Sequence, residues 1–316
     1  MRSEALLSGR NLRKIAVYIA FVVFFIFFSV SLRNVGAGFL DLGNLMNILR
    51  QTSLIAIIAV GMTFALGAAQ IDLSIGPIVG VTSLVTAVVL KQYGIFPGVI
   101  AGLAVGAVVG SLNGVLTSAL RVPAFLATLG TQIIFAGVAR TLTNLKSVPI
   151  MDGTYKYVFG GGDFGFLPIL ALWMIIFVGV GYVGMQKTGF GRRVIAVGSN
   201  PTAAFYSGVN VKKTIFAVMF MSGVLAGAAG ILWAGRFGGG RYSLGEGEEL
   251  SVIAATVLGG TSIYGGRATV LGAAVGAIMI GMINNALIMY GLDVYQQMII
   301  RGIIIIAAVA LTTSRD

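Results

Sequence analysis

The sequence predicts an all-α polytopic membrane protein, one domain over residues 1–316, with about ten transmembrane helices in two five-helix inverted repeats. Three observations carry that expectation. First, 57% of the residues are hydrophobic and 10% charged, with a mean hydropathy of +0.98; a soluble domain has about a quarter charged residues. Second, the apolar residues fall in successive runs of about eighteen or more, each able to cross about 30 Å of hydrocarbon as a helix. Third, the two halves of the chain repeat one another with five runs each, and an odd number forces opposite orientations.

The first run, KIAVYIAFVVFFIFFSVSL, follows Arg10, Arg13 and Lys14. It is too long for a signal-peptide core and lacks a small-residue cleavage site, so residues 15–32 are read as a retained span. Spans at 45–66, 72–90, 95–118 and 123–142 complete the first repeat, about 15–145. Spans at 167–185, 213–234, 249–261, 268–289 and 294–312 make the second, about 167–312. The third and eighth are short or glycine-interrupted, which leaves open whether they cross fully or are broken or re-entrant. Residues 102–116 read GLAVGAVVGSLNGVL and residues 272–287 read GAAVGAIMIGMINNAL, the same pattern with a one-residue offset. Upstream, DLSI at 72–75 matches ELSV at 249–252, and GAAQI at 67–71 matches GAAGI at 227–231. Asp72 and Glu249 are counterparts in this register. The 46 glycines show no Gly-X-Y period and fit close helix packing.

The net charge of +11 reflects orientation rather than nucleic-acid binding, because the cations cluster at span ends and in particular loops. Loop 187–213 holds Lys187, Arg192, Arg193, Lys212 and Lys213 with no acid, and the tail carries Arg315. By the positive-inside rule both termini and this loop face the cytoplasm, and loops 143–166 and 235–248 face outward. With no cysteine or histidine, disulfides, thiol chemistry and the commonest metal sites are excluded, and neither metal nor cofactor is expected.

Asp72 lies inside an otherwise apolar stretch, where an ionised carboxylate costs several kcal/mol unless something answers it. It reads as an N-cap of span three with Ser74 assisting, as a polar group lining the pathway at a broken helix, or as a proton-coupling carboxylate. An Asp72→Asn variant is expected to assemble but transport poorly. Glu249 has the same cap reading, with more solvent expected because Glu246 and Glu248 precede it. Gln70, Ser74, Ser251, Asn113, Asn284 and Asn285 are further pathway or gate candidates, although interhelical hydrogen bonding is the more frequent explanation of amides in apolar helices. In loop 187–213, Asn200 suits an N-cap, Pro201 the first helical position and Gly208 the residue past the end. The short helix so defined presents Phe205 and Tyr206, and a partner's groove or the membrane surface accounts for it. Lys146, Lys156, Arg236 and Arg241 mark the outward loops.

No phosphate-binding G-x-x-x-x-G-K-[ST] loop exists, so any nucleotide is hydrolysed in another chain. The runs QTSLIAIIAVGMTFALGAAQIDLSIGP, VPAFLATLGT, TGFGRRVIAVGSNPTAAFYSGVNV and ELSVIAATVLGGTSIYGG resemble the permease subunit of ribose-type bacterial ATP-binding-cassette (ABC) importers. The resemblance extends in order from about residue 43 to 310. Members move ribose, xylose, galactose, other sugars or autoinducer-2. It implies a location in the bacterial inner (cytoplasmic) membrane, a second permease protomer, identical or not, two cytoplasmic ATPase subunits or a fused tandem ATPase, and an extracytoplasmic sugar-binding protein.

The family's coupling helix maps onto Asn200 to Gly208, flanked by Arg192 and Arg193, and its Ile-Asp-Leu-Ser-[Val/Ile]-Gly signature onto Ile71 to Gly76. Two positions depart from the family: Ala69-Gln70 stands where Gly-Gly is frequent, and Ser251 where relatives carry Asp. The expected activity is non-catalytic alternating access, with Lys146, Lys156, Arg236 and Arg241 meeting acids of the binding protein. The rival is a stand-alone secondary transporter or channel using Asp72 for ion coupling.

Overall fold

The structure, a computed structural model, describes residues 9–34 and 38–313. Arg315 lies outside the described residues, as do the side chains of Arg10, Arg13 and Lys14. The first half holds α1 (Gly9–Asn34), α2 (Leu42–Gly67), α3 (Ile75–Tyr93), α4 (Ile95–Ser118) and α5 (Ala124–Leu142). A connecting segment follows, with β1 (Val148–Pro149), the single turn α6 (Gly153–Lys156), a π-helical turn over Tyr157–Gly161, and the pair β2 (Asp163–Phe164) and β3 (Leu167–Pro168). The second half holds α7 (Ile169–Tyr182), α8 (Gly189–Ser199), α9 (Pro201–Tyr206), α10 (Val211–Phe237), β4 (Gly239–Gly240), α11 (Glu248–Leu258), α12 (Val270–Met289) and α13 (Val294–Thr313).

Seven described helices are long and apolar enough to cross a membrane: α2, α3, α4, α5, α7 with its π-helical extension to Lys187, α10 and α12. The buried centre is α2, whose residues from Thr52 to Gly67 are all buried. Around it pack α10, α12, α7 and α11. On its other side α10 crosses α4 at glycines: a Cβ on Gly223 would stand 2.4 Å from the Gly106 carbonyl oxygen. Side chains mark where helices start. Thr188, Asn200, Asn210 and Thr269 each accept a backbone N–H in the first turn of α8, α9, α10 and α12.

Spans three and eight differ from the sequence expectation. The first begins at Ile75, three residues past Asp72, with Pro77 in the first turn where its missing N–H costs nothing. Residues 68–74 carry the chain back from the end of α2 without regular structure, after a reversal at Ala69 in the left-handed region (φ 57°). The eighth is the eleven-residue α11, about 16 Å long and too short to cross as a helix.

Residues 235–248 are not a simple surface loop either. After β4, which pairs antiparallel with β1, the chain doubles back along α3. Arg241 exchanges hydrogen bonds with the Ser83 hydroxyl, and the Tyr242 and Gly245 carbonyls lie where Cβ atoms on Gly80 and Gly76 would sit. This descent carries Glu249 into the interior with only 8% exposure, correcting the expectation of a solvated carboxylate.

Candidate functional site

The short helix α11 and the start of the continuous helix α3 meet inside the bundle. The first turns of α3 and α11 touch at Gly76, where an added Cβ would stand 2.6 Å from Glu249 Oε2 and from the Gly245 carbonyl. Only a residue without a side chain allows that approach. Gln132 of α5 donates to Glu249 Oε1 at 2.9 Å, tying the junction to the first repeat.

Around Asp72 the polar groups form one chain. The Thr131 hydroxyl donates to Asn113 Oδ1 (2.8 Å), Asn113 Nδ2 donates to the Ser74 hydroxyl (2.7 Å), and that hydroxyl donates to Asp72 Oδ1 (2.6 Å). The Ser74 backbone N–H adds a second bond to the same oxygen at 3.0 Å. Oδ2 faces the Ser222 hydroxyl of α10 without the geometry of a full hydrogen bond. Asp72, Ser74 and Asn113 are 0% exposed and Thr131 is 2%. Hydroxyls and a backbone N–H, rather than a cation, answer this carboxylate. Gln70 is not part of the chain; its amide folds back onto the Ala68 and Ala69 carbonyls. Thr128 and Thr131, which the sequence reading passed over, place α5 against this segment: the Thr128 hydroxyl also donates to the Ile71 carbonyl at 3.0 Å.

The second repeat has its own cluster. Ser251 and Asn284 line a cavity of about 10 Å³ with Arg301, Ile280, Ile283 and Ile304. Glu248, one residue before Glu249, faces Ser251 and takes Arg301 as its opposing charge. Neither Glu248 nor Arg301 was among the sequence candidates; the signal available was a cation in the middle of an apolar run. Asn285 belongs elsewhere, donating to Asn44 Oδ1 at 2.9 Å to fasten α12 to the start of α2.

At the basic end, α9 is capped by Asn200 Oδ1 accepting from the Ala203 N–H at 2.9 Å, and it ends before Gly208 at φ +83°. Phe205 and Tyr206 stand 65% and 83% exposed. Arg192 and Arg193 are exposed on α8, a helix the sequence reading treated as loop. Just before α9, Gly198 presses against the end of α2, where a Cβ would stand 1.9 Å from the Gly67 carbonyl. The same carbonyl accepts from the Gly266 N–H at 3.2 Å.

At the opposite end Lys146 and Arg241 are exposed and Lys156 is half-buried. Arg236 is engaged internally: its guanidinium donates to the Arg50 carbonyl at 3.1 Å, which leaves it poorly placed for a partner. Ion pairs join Arg50 to Asp163 and Arg140 to Glu246. In the same region burial pushes the Tyr155 hydroxyl above the usual phenol range, and it donates to the Ile231 carbonyl at 2.8 Å.

Residues 44–309 match the family described as branched-chain amino acid transport system / permease component. The chain belongs to this permease family. It is 38% identical over 302 residues to a probable ABC transporter permease protein, YphD, of Escherichia coli, covering 95% of this chain and 90% of that one. It is 36% identical over 297 residues to the ribose import permease protein RbsC of Bacillus subtilis, covering 93% and 91%. To the D-allose transport system permease protein AlsC of Escherichia coli it is 34% identical over 276 residues, covering 86% and 84%. No solved structure matches. The likeness to ribose-type ABC permeases thus extends over nearly the whole permease, and no metal-ligand cluster occurs among its described residues.

Proposed function

We propose that the chain is the membrane permease subunit of an ABC importer, passing a monosaccharide or similar small polyol across the bacterial inner membrane. The family description names branched-chain amino acids, while the relatives named for a substrate carry ribose, allose and xylose. That sequence proximity favours the sugar. The full assembly has a second permease protomer, cytoplasmic ATPase subunits and an extracytoplasmic binding protein. Both termini and α9 face the cytoplasm, and ten segments, the eighth too short to cross as a helix, enter the membrane as paired inverted repeats.

The observation that carries the reading is the exposed, capped helix α9. Its Phe205–Tyr206 pair is offered to a partner, and its neighbour α8 bears directly on Gly67. Gly67 ends α2, and five residues further on lies Asp72. A rigid push from an ATPase on α9 therefore reaches the α3–α11 junction through backbone contacts alone. Lys146 and Arg241 remain available to acids of the binding protein. A stand-alone transporter coupled through Asp72 is the weaker reading, because Oδ1 of that buried carboxylate is already held by the Ser74 N–H and hydroxyl.

The test has two arms. In cells, uptake should stop when ATP is depleted while the proton gradient is kept; continued uptake overturns the importer. Phe205→Asp and Tyr206→Asp should each abolish co-purification of the ATPase while the permease still assembles in the membrane. Unchanged co-purification removes the docking role of α9.

A further inference from the structure

The inverted repeat places two polar clusters on either side of the α3–α11 junction, and they are not in the same state. The register that pairs Asn113 with Asn284 sets Thr131 of α5 opposite Gly302 of α13, one residue from Arg301. Ser74 corresponds to Ser251 and Asn113 to Asn284. In the first repeat these positions complete an internal hydrogen-bond chain at 0–2% exposure. In the second, Ser251 is 3% exposed, but Glu248, Asn284 and Arg301 are half-buried, and Ser251, Asn284 and Arg301 line a cavity. Glu248 Oε2, Asn284 Oδ1 and Arg301 Nε have no hydrogen-bond partner in the protein; Asp72 Oδ2 also lacks one, but it faces the Ser222 hydroxyl, whereas Asn284 and Arg301 line a cavity.

We infer that the Glu248–Ser251–Asn284–Arg301 cluster is the station at which a permeating polyol is held by its hydroxyls, and that the Asp72 cluster is closed to it. This rests on the transport function proposed above and deepens it. The chemistry fits a vicinal diol. One hydroxyl accepts from Arg301 Nε–H and donates to Glu248 Oε2, and its neighbour donates to Asn284 Oδ1. Two acceptors and one donor are then satisfied by a ligand with no charge of its own.

At about 10 Å³ the cavity has room for no more than a single water. A sugar ring enters when α13 moves away from α11 and α12, the kind of separation alternating access requires. Few contacts to an uncharged ligand suit a station that must release what it holds. A zwitterionic amino acid is the competing ligand class, since its carboxylate suits Arg301 and its ammonium Glu248.

The chain has no cysteine, so a single introduced thiol reports without background. The permease, in complex with its ATPase in proteoliposomes, is prepared as Ser251→Cys and treated with a charged methanethiosulfonate reagent. Labelling should occur, and D-ribose or D-allose should slow it several-fold while L-leucine does not. Ser74→Cys, in the sealed cluster, should stay unlabelled throughout. Absence of labelling at position 251, or labelling that no sugar slows, overturns the station; protection by L-leucine instead overturns its ligand class. Asn284→Cys supplies the same readout where Ser251→Cys does not assemble.

A second measurement is uptake by an assembled Asn284→Leu complex, expected to fall about tenfold, the worth of one such hydrogen bond. Uptake within twofold of the parent (roughly, on the same scale) counts against the station. If parental uptake survives ATP depletion, the importer reading fails while the labelling and protection result stands by itself.

Discussion

At the scale of single residues, Asp72 shows how a carboxylate is kept inside an apolar bundle without a cation. Its Oδ1 takes a backbone N–H and a hydroxyl from the same residue, Ser74, so one short turn answers most of its need. An asparagine keeps an oxygen at that place and turns an N–H donor toward Ser222. Asp72→Asn should therefore assemble and transport close to the parent, where the sequence alone pointed to assembly with poor transport. Asp72→Leu leaves the Ser74 N–H and hydroxyl without their acceptor in a buried site, an expected loss of about 2 kcal/mol. Thermal unfolding in detergent together with an uptake assay separates the two variants. Poor uptake by a well-assembled Asp72→Asn complex would return Asp72 to the pathway. The residues of this cluster were largely visible beforehand, since Asp72, Ser74 and Asn113 are the polar exceptions in apolar runs. Their order of bonding was not, because it depends on Thr131 of α5, an unremarkable hydroxyl in the sequence.

At the scale of elements, close approach decides which helices can pair. Gly106 and Gly223 let α4 and α10 cross with their backbones in contact. Gly223→Val would drive side-chain atoms into the Gly106 carbonyl and the backbone of Gly110, with no flexible group able to yield. A loss of about 3 kcal/mol, the upper end for overpacking, is expected, read as a lower unfolding temperature and a smaller monodisperse yield. An unchanged unfolding temperature would show that the crossing can spread.

The glycine stripe of α4 and its repeat in α12 were legible because their spacing is helical. Helix α8 was not: GFGRRVIAVGS carries three glycines and two arginines and reads as a basic loop. Its Gly191 and Gly198 are there for approach, to the Met185 and Gly67 carbonyls respectively, rather than for turning the chain. The dip of residues 239–247 was hidden for a related reason. Hydropathy records composition along the chain, and a polar, glycine-rich segment looks the same whether it lies in water or against α3.

At the scale of the whole molecule, the repeat and the charge distribution together specify an orientation that single cysteines can test. Met151 and Tyr206 are each 83% exposed and lie at opposite ends of the bundle, separated in the chain by α7. That helix and its extension form a nineteen-residue apolar segment, Ile169–Lys187, long enough to cross the bilayer. The cations of loop 187–213 put Tyr206 on the cytoplasmic side. In the cysteine-free background, Met151→Cys should react with an impermeant maleimide on intact spheroplasts. Tyr206→Cys should react only after the membrane is opened. Reversed labelling would invert the orientation and place α9 where no ATPase can reach it. Labelling of both from one face would mean that α7 does not cross, and the second repeat could not then run opposite to the first. The opposite outcome at the two positions is what an ATPase pushing on α9 and a binding protein docking near Arg241 both require.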